Sequence, residues 1–538
     1  MSRVKASGGR SRKGRAEPPT IRFYPNDPDA PVGLESVTPV EPDPSEPSFT
    51  IEGRRYAPAP YDPGTLAFQY WQGEVALART IRVWEDLFER DFARWHEGRP
   101  LLVKLRAGKD LNAFYDRKSL QFFYDVDKKT KRYVYAAESL DVVAHEAGHA
   151  ILDVYQPGFW STPDLETASF HEAFADCSAL LVTLTDPAVR HAVLAEADGS
   201  WEKSNQVSRL AEVLGRAIYD NYGPGAISDP TRLRDARNTF RYVDPTTLPP
   251  GAGDTELAAE PHSFSRVFTG FFYDAFVREL VRVLKSVPGE EAIERARRLL
   301  GRLLARAIET LPPGHARYAL VADRMRAMDQ SEEGGVGTPS IEAACARHGI
   351  ELPALAGVKK GRARQRSRKA AAAPGAPSPG APSPTLLRAL DPDRPGGLAA
   401  LRAALRLDPG AKLERRLTPL PRREGVREQL LHAHHYTVRS KALGALSGIT
   451  VRVPCGCTLT RGPSGEIESL TLAPHPDPTP AEVLRIVRPW VKRGAIHPKR
   501  GLRASARELF LEKKPFRLTK EGLLERVYFD WHGSTRNP

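Results

Sequence analysis

Residues 358–384 divide the chain into two parts. They read VKKGRARQRSRKAAAAPGAPSPGAPSP, that is, a basic stretch followed by a repeat of Pro, Ala, Gly and Ser. A segment of this composition behaves as a semi-rigid linker, because it lacks the apolar side chains that a core needs. A chain of 538 residues also exceeds the usual size of a single core. We therefore expect a linker at 356–385 with a folded region on either side.

The other ranges differ in composition and periodicity. Residues 1–55 are rich in Pro, Asp, Glu and Ser and poor in apolar residues, so we expect them to be disordered or extended. Residues 56–355 begin with short strand-like runs and become mostly helical, whereas 386–538 contain strand patterns and one clear helix. The sequence thus predicts two α+β regions, of which the second is the smaller.

Apolar periodicity places the main elements of both regions. In the first region, we predict helices at 74–95, 167–184, 263–284, 289–311 and 314–329, and a further helix through 141–155 that Ser139 caps. In the second region, GITVRVPCGCTLT and GEIESLTLA flank the turn RGPSG and predict a β-hairpin, with LLHAHHYTVRS as a third strand. Thr479 and Pro480 are typical of the start of a helix.

Charge is distributed unevenly along the chain. Residues 386–538 hold 28 Lys and Arg against 15 acidic residues, a net +13. The whole chain also carries +13, while the basic runs at 1–16 and 359–369 contribute +6 and +7, so the remainder carries −13. The basic region could bind an anionic partner such as nucleic acid or a membrane surface. Intramolecular docking on the acidic region is favoured, because runs such as KKGRARQRSRK are most often solvated.

The sequence offers little on location. The basic start is not followed by an apolar run, so it does not resemble a secretory signal. No stretch of about 18 uncharged apolar residues predicts a transmembrane segment. Four cysteines in a chain of this length suit a reducing compartment at least as well as an oxidising one. A cytoplasmic location is the default expectation, with export that needs no cleaved signal left open.

The pattern His-Glu-Ala-Gly-His at 145–149 carries the first chemical signal. On a helix, His145 and His149 are one turn apart, so both imidazoles leave the same face and can bind one metal ion. Glu146 borders that face and can reach a water on the metal without itself binding the metal. Two core or solvated histidines would give the same pattern, so a metal site needs a third ligand.

A candidate for the third ligand follows in FHEAFADCSALL. Glu172 and Asp176 lie four residues apart on one face of a predicted helix whose other residues are mostly apolar. Glu172 can complete a metal site, and Asp176 can accept a hydrogen bond from the second ring nitrogen of a ligand histidine. Burying two acids on such a helix is costly without partners of this kind.

Four blocks between residues 100 and 285 together resemble the thermolysin-like zinc peptidases of the gluzincin group. LNAFYD (111–116) is similar to the edge strand with which that family binds the substrate backbone. HEAGH and HEAFAD are similar to its two zinc-ligand helices. EPHSFSRVFTGFFYDAF (260–276) resembles the block that carries its catalytic histidine. The resemblance implies a thermolysin-like zincin fold, with a small mixed sheet that ends in an edge strand and then a mostly helical half.

The resemblance also implies the composition of a metal site. The zinc ligands would be His145, His149 and Glu172. Asp176 would fix the orientation of a ligand histidine in the second shell. One zinc ion per chain is expected. Calcium is not expected at a double site, because Thr183 and Ala192 in the corresponding segment offer little for its coordination.

The same resemblance implies a reaction. The chain would be a zinc-dependent endopeptidase that hydrolyses peptide bonds with a metal-activated water and Glu146 as general base. His262 would donate a hydrogen bond to the oxyanion. Asn112 and Ala113 would bind the peptide or protein substrate.

Two positions depart from the family pattern. The substrate-binding arginine expected before SDP (228–230) falls near Gly225, so Arg232 or Arg234 would have to replace it. The tyrosine expected before the third ligand falls at Pro163, which leaves Tyr155 as a substitute. These departures favour one alternative, a binding or scaffold protein that keeps the peptidase fold with little turnover. Another alternative is an anionic-partner protein, for example a nucleic-acid binder, that acts through 386–538.

The second region contains a further set of metal-binding residue types. These are His432, His434, His435, Cys455 and Cys457. They could meet across neighbouring strands, but Cys-x-Cys is not the usual zinc spacing and alternate strand residues face opposite sides. Ordinary strand residues with small apolar thiols are the favoured interpretation.

Overall fold

The computed structural model describes residues 18–39, 48–91, 95–96, 98–201, 203–224, 227, 229–353, 383–420, 424–473 and 479–530. Residues 354–382, which form most of the predicted linker, lie outside the described residues. The fold is mixed α+β, as expected. The part up to residue 353 and the part from residue 383 are called the N-terminal part and the C-terminal part below.

Short strands of the N-terminal part build one mixed sheet and three small strand pairs. The strands are β1 (Ile21–Phe23), β2 (Glu35–Val37), β3 (Phe49–Ile51), β4 (Leu101–Lys104), β5 (Ala113–Tyr115), β6 (Ser119–Phe122), β7 (Tyr124–Val126), β8 (Tyr133–Tyr135), β9 (Arg209–Leu210) and β10 (Arg234–Asp235). In the mixed sheet β3, β4 and β6 are parallel neighbours, and β5 pairs antiparallel with β6. Among the strands of the N-terminal part, β5 is therefore one edge of this sheet, and β3 is the other.

Part of the segment expected to be disordered is in fact folded. Residues 21–23 and 35–37 form an antiparallel pair, and the side chains of Ile21 and Phe23 are fully buried. Asp27 is also buried and accepts a hydrogen bond from the backbone N–H of Val213. Ile21 and Phe23 belong to the main buried cluster, and Val32 and Val37 are partly buried against it, so apolar contacts hold this segment on the N-terminal part. Residues 1–17 and 40–47 lie outside the described residues.

Helices form the rest of the N-terminal part. They are α1 (Leu66–Phe88), α2 (Leu140–Tyr155), α3 (Gly158–Ser161), α4 (Leu165–Thr183), α5 (Pro187–Ala197), α6 (Glu212–Tyr222), α7 (Pro261–Val283), α8 (Gly289–Thr310), α9 (Tyr318–Glu332) and α10 (Thr338–His348). Nearly all residues of α2 and α4 are buried, since α1 and α7 pack around them. Because both helices are buried, their histidines and acids also lie in the interior.

The ends of α1 and the cap of α2 differ from the predictions. Helix α1 begins at Leu66 rather than near residue 74, because the Thr65 hydroxyl caps it by accepting from the N–H of Phe68 at 3.2 Å. It ends at Phe88, where Glu89 turns into the left-handed region. Ser139 does precede α2, but its hydroxyl bonds to the carboxylates of Asp27 and Asp141 instead of capping the helix.

The C-terminal part is also α+β. Its strands are β11 (Glu414–Leu420), β12 (Gly425–Val438), β13 (Ile449–Arg461), β14 (Ile467–Leu472), β15 (Ile496–Arg500), β16 (Phe516–Leu518), β17 (Leu524–Arg526) and β18 (Phe529–Asp530). Its helices are α11 (Pro384–Ala389), α12 (Gly397–Ala404), α13 (Pro480–Lys492) and α14 (Ala506–Leu511). Strands β11 to β14 form an antiparallel meander, which confirms the predicted hairpin and third strand. Helix α13 starts after Thr479, as predicted, and Thr479 forms a capping box with Glu482.

The two parts share one hydrophobic cluster. Side chains of α13 and of β13, β15 and β16 belong to the same buried cluster as the N-terminal helices. Polar contacts cross the boundary too: Trp490 Nε1 donates to the Pro163 carbonyl at 2.7 Å, and Thr458 Oγ1 donates to the Leu311 carbonyl at 2.7 Å. Ion pairs that cross it include Arg493 with Glu260 at 3.4 Å.

Within the described ranges, no helix is both long enough and apolar enough to cross a membrane.

Candidate metal centre

The centre forms where α2 and α4 approach closely. Gly148 makes this approach possible, because a β-carbon at that position would come within 2.9 Å of the Ser178 side chain and 3.0 Å of the Ala175 backbone. Ser178 reinforces the contact by donating a hydrogen bond to the Ala144 carbonyl at 2.9 Å. The glycine of the His-Glu-Ala-Gly-His pattern therefore has a packing role between its two histidines.

His145, His149 and Glu172 lie within reach of a single ion. One ligand atom from each side chain falls within 4.8 Å of the others. The Nε2 atoms of both histidines are 3.5 Å from Glu172 Oε2. All three side chains are buried. Two imidazoles and one carboxylate are a donor set that zinc binds in catalytic sites, where a fourth position stays open.

The surroundings of these atoms fit a cation. His149 Nε2 and both carboxylate oxygens of Glu172 are buried and lack a hydrogen bond of normal geometry within the described residues. Burying such groups without a partner costs free energy. Burial alone would raise the pKa of Glu172, but the neighbouring His262 and His149 lower this pKa well below its ordinary value. Burial lowers the pKa of His149 to about 4, so its imidazole is neutral and available as a ligand near neutral pH.

Asp176 holds the outer nitrogen of His145. Its Oδ1 lies 3.1 Å from His145 Nδ1 and 2.8 Å from a terminal nitrogen of Arg234. Its Oδ2 accepts a hydrogen bond from Thr269 at 3.2 Å. Burial would raise the pKa of Asp176, but Arg234 and His145 lower it, so the carboxylate is ionised. An ionised Asp176 keeps His145 Nδ1 protonated and leaves Nε2 to face Glu172.

His149 is held by a residue that sequence reasoning missed. His171, the residue before Glu172, places its Nδ1 at 2.8 Å from His149 Nδ1. Burial lowers the pKa of His171 well below its ordinary value, so its ring is neutral and one nitrogen can accept. His171 adjoins a predicted ligand in the sequence, but only the approach of α4 to α2 reveals its contact with His149.

His262 reaches the same cluster from the start of α7. Its Nε2 is 3.3 Å from Glu172 Oε2, and its Nδ1 is 2.8 Å from Glu260 Oε1. Burial would raise the pKa of Glu260, but His262 and Arg493 lower it, so Glu260 is ionised. Glu260 also caps α7 by accepting from the N–H of Ser263 at 2.7 Å. Sequence reasoning missed Glu260 as well, although an acid two residues before His262 was visible in EPHSF.

The remaining predicted residues occupy different places. Glu146 is fully buried on α2, beside His145. Asn112 and Ala113 form the start of edge strand β5, where the Asn112 side chain accepts from the N–H of Ala113 at 2.8 Å. The structure therefore brings the histidines and acids of α2, α4 and α7 together and places β5 as the nearby sheet edge.

The residues considered as replacements for the family's arginine and tyrosine lie in different parts of the structure. Arg234 lies in the centre through its contact with Asp176, whereas Arg232 pairs with Asp229 at 2.8 Å outside it. Tyr155 stacks on Phe88 of α1, with ring centroids 3.6 Å apart.

The second metal site considered in the sequence is not supported within the described residues. Cys455 and Cys457 are free, buried thiols in a cluster of leucine side chains. His432 bonds through Nδ1 to the Lys412 carbonyl at 2.9 Å. Among the described residues, the His, Cys, Asp and Glu side chains placed to share one ion are those of His145, His149 and Glu172.

Comparisons with known proteins add a distant structural similarity. No protein-family model matches the sequence, and no curated protein matches it. Among solved structures, the chain is similar to the precursor of protealysin, a metalloproteinase from Serratia proteamaculans. The identity is 16% and the TM-score 0.36, over 65% of this chain and 91% of that chain. The geometry of the candidate centre itself indicates that its residues could hold a metal ion.

Proposed function

We propose that the chain is a zinc-dependent endopeptidase of the thermolysin-like kind. The observation that carries the proposal is the buried group of His145, His149 and Glu172 with a third histidine, His262, on the same carboxylate. A purely structural metal site would be closed by a fourth protein ligand, whereas His262 lies outside the described group of ligand atoms within 4.8 Å of one another and is held by its own carboxylate, Glu260. The four sequence blocks that resemble the peptidase family support the same conclusion.

Each residue has a defined task in this proposal. His145, His149 and Glu172 would hold zinc, which supplies Lewis-acid polarisation of the substrate carbonyl and of a water. Glu146 accepts the proton of the attacking water and later transfers it to the leaving amine. His262 would donate from Nε2 to the oxyanion as an imidazolium, the form in which both ring nitrogens donate and the Glu260 carboxylate accepts from Nδ1.

The position of β5 supports a peptide as the substrate. Among the strands of the N-terminal part it is one of the two sheet edges, and it follows directly on Asn112. A peptide in extended form can add to such an edge through backbone hydrogen bonds, which accept many sequences. The edge of β5 could therefore bind peptides of varied sequence.

Substitution of Glu146 tests the proposal. Glu146→Gln should keep one zinc per chain and reduce cleavage of an unfolded protein by about 100-fold or more, because it removes the general base but no ligand. Glu138→Gln is the matched control: Glu138 is a buried acid that accepts hydrogen bonds from Gly64 and Gln69, and its amide retains an acceptor. The control should cleave like the parent chain.

Metal analysis and a chelator complete the test. Bound zinc should be close to one per chain, and cleavage should stop when a chelator removes it. Retained cleavage in the Glu146→Gln chain would remove Glu146 from its role. Bound zinc without any cleavage would favour the binding or scaffold alternative.

A further inference from the structure

The edge of β5 is covered by the far end of the chain. Strand β18 pairs antiparallel with β5, with Phe529 opposite Tyr115 and Asp530 opposite Phe114. The mixed sheet thereby gains a strand from the C-terminal part on the edge where the proposed function places the substrate. An antiparallel strand satisfies the same backbone groups that a bound peptide would use.

Phe529 carries this strand to the candidate metal centre. Its ring stacks on His171, with centroids 4.2 Å apart, and on His149, with centroids 5.2 Å apart. The indole of Trp160 packs edge-on against it at 5.3 Å. The side chain is 2% exposed. Phe529 therefore covers the imidazole of one proposed metal ligand and the histidine that holds it.

The C-terminal part anchors the strand on its other side. The guanidinium of Arg526 lies over the rings of Phe529 at 4.2 Å and Phe516 at 4.4 Å. The Arg526 carbonyl accepts a hydrogen bond from Trp160 Nε1 at 3.2 Å. Tyr528 packs against Phe114 of β5, with centroids 5.7 Å apart. The strand is thus fixed by contacts to both parts.

A second contact from the C-terminal part reaches the centre. Arg493, just after α13, pairs with Glu260 at 3.4 Å, and Glu260 in turn holds His262. The C-terminal part therefore contacts His149 of α2 through Phe529, and Glu260 at the start of α7 through Arg493. Both contacts depend on the same docked arrangement.

We propose that residues 526–530, the segment that ends in β18, are an intramolecular inhibitor that occupies the peptide site on β5 and must leave before a substrate can pair there. The inference rests on the proposed function for the identity of the site. A tethered strand competes at an effective concentration set by its attachment, on the order of millimolar for a flexible tether. A free peptide present at micromolar concentration is therefore excluded while the strand is docked. Loss of the Phe529 ring removes the main apolar contact of this segment and should shift the competition toward the free peptide.

A binding measurement tests the inhibitor without requiring turnover. The probe is a fluorescein-labelled peptide of residues 524–530, Leu-Glu-Arg-Val-Tyr-Phe-Asp. It is titrated with full-length, zinc-loaded chain that carries Glu146→Gln, and binding is read as fluorescence anisotropy. Adding Phe529→Ala should tighten binding about tenfold or more, since truncation of a buried phenylalanine strongly weakens its own docking. Equal affinity with and without Phe529→Ala would overturn the inhibitor.

Controls separate the strand from general loosening of the C-terminal part. Leu511→Ala changes an apolar residue of the same part that is 60% exposed, and it should bind the peptide like the parent. A peptide with alanine in place of its phenylalanine should bind weakly to every chain. Phe529→Leu keeps apolar bulk and guards against loss of folding in Phe529→Ala; it should give an intermediate affinity, and an unchanged affinity in both variants counts against the proposal.

A second measurement distinguishes failure of this inference from failure of the proposed function. With Glu146 intact, Phe529→Ala should raise the rate of cleavage of an unfolded protein at low substrate concentration by about the factor seen in binding. Improved peptide binding without cleavage in any chain would reject the peptidase and retain the inhibitory strand. Cleavage at equal rates with equal peptide binding would retain the peptidase and reject the inhibitory strand.

Discussion

Three histidines of the candidate centre share one arrangement at the residue scale. His145, His149 and His262 each engage a partner through Nδ1 and present Nε2 to Glu172. The partners are Asp176, His171 and Glu260. Holding one ring nitrogen fixes both the tautomer and the orientation of the other. The geometry of the centre is therefore set by side chains that do not themselves face the metal position.

Asp176 is the partner whose removal should weaken metal binding most directly. Asp176→Asn replaces the ionised carboxylate that holds His145 and leaves the Arg234 guanidinium without its buried counter-charge. We expect zinc affinity to fall about 10- to 100-fold. Competition with a fluorescent zinc chelator measures this affinity.

Asp329→Asn is the control for Asp176→Asn. Asp329 is an equally buried acid that accepts from the backbone N–H groups of Gly337 and Thr338 at the start of α10. Its substitution should lower the unfolding temperature and leave zinc affinity unchanged. A zinc affinity that is the same in Asp176→Asn and the parent would contradict the positioning role of Asp176.

At the scale of elements, the distance between α2 and α4 decides whether a ligand set exists. Gly148→Ala places a methyl group 2.9 Å from the Ser178 side chain and 3.0 Å from the Ala175 backbone. The helices must move apart, at a cost of about 1–3 kcal/mol in the free energy of unfolding. Because His149 lies on one helix and Glu172 on the other, zinc affinity should fall as well.

An open glycine provides the comparison for Gly148→Ala. A β-carbon on Gly253 would meet no atom within 4 Å, so Gly253→Ala should change stability little. Urea unfolding gives the stability of both variants, and metal analysis gives their zinc content. A Gly148→Ala chain with the parent's stability and zinc content would show that the close approach is not needed.

How far the sequence anticipates the structure depends on the range of the contacts. The spacing of His145 and His149 on one helix, and of Glu172 and Asp176 on the next, follows from helical periodicity and is visible in the chain. The contact of His171 with His149 requires the rotation of α4 about α2, which no local pattern encodes. The end of α1 was misplaced because the left-handed turn at Glu89 has no sequence signal of the usual kind, such as glycine.

Strand β18 was beyond prediction for a related reason. The two residues of β18 are too few to indicate a strand by alternation, and 414 positions separate Phe529 from its partner Tyr115 in β5. The folded segment at 18–39 is a similar case, since the burial of Ile21, Phe23 and Asp27 depends on contacts with distant parts of the chain. Composition alone therefore did not predict the ordered segments near either end of the described chain.

For the whole molecule, the shared hydrophobic cluster predicts that the two parts stay together without a covalent link. A chain carrying a specific protease site within residues 356–382 should, after cleavage there, elute as one complex in gel filtration. Association driven by the charges of −13 and +13 would weaken in about 1 M salt, where the Debye length is about 3 Å. Association through the apolar cluster should persist, and we expect it to do so.

A variant in the boundary provides the contrast for the cleaved chain. Trp490 is buried in the shared cluster and bonds to the Pro163 carbonyl, so Trp490→Ala should weaken the complex. Leu417→Ala, at a position that is 57% exposed, should not. Separation of the parent fragments in high salt would favour docking by charge instead.

The sheet that unites β3 with β18 also has a consequence for the order in which the chain is made. Tyr115 and Phe529 are neighbours in that sheet but 414 positions apart in the sequence. At about 5–20 residues per second, the ribosome needs roughly 20–80 s to pass from one to the other. During that interval the backbone of β5 is without its final neighbour and can pair with other extended chains nearby. Newly made copies should therefore be most prone to misassociation before synthesis is complete, and slower translation of the C-terminal part should lengthen that exposure.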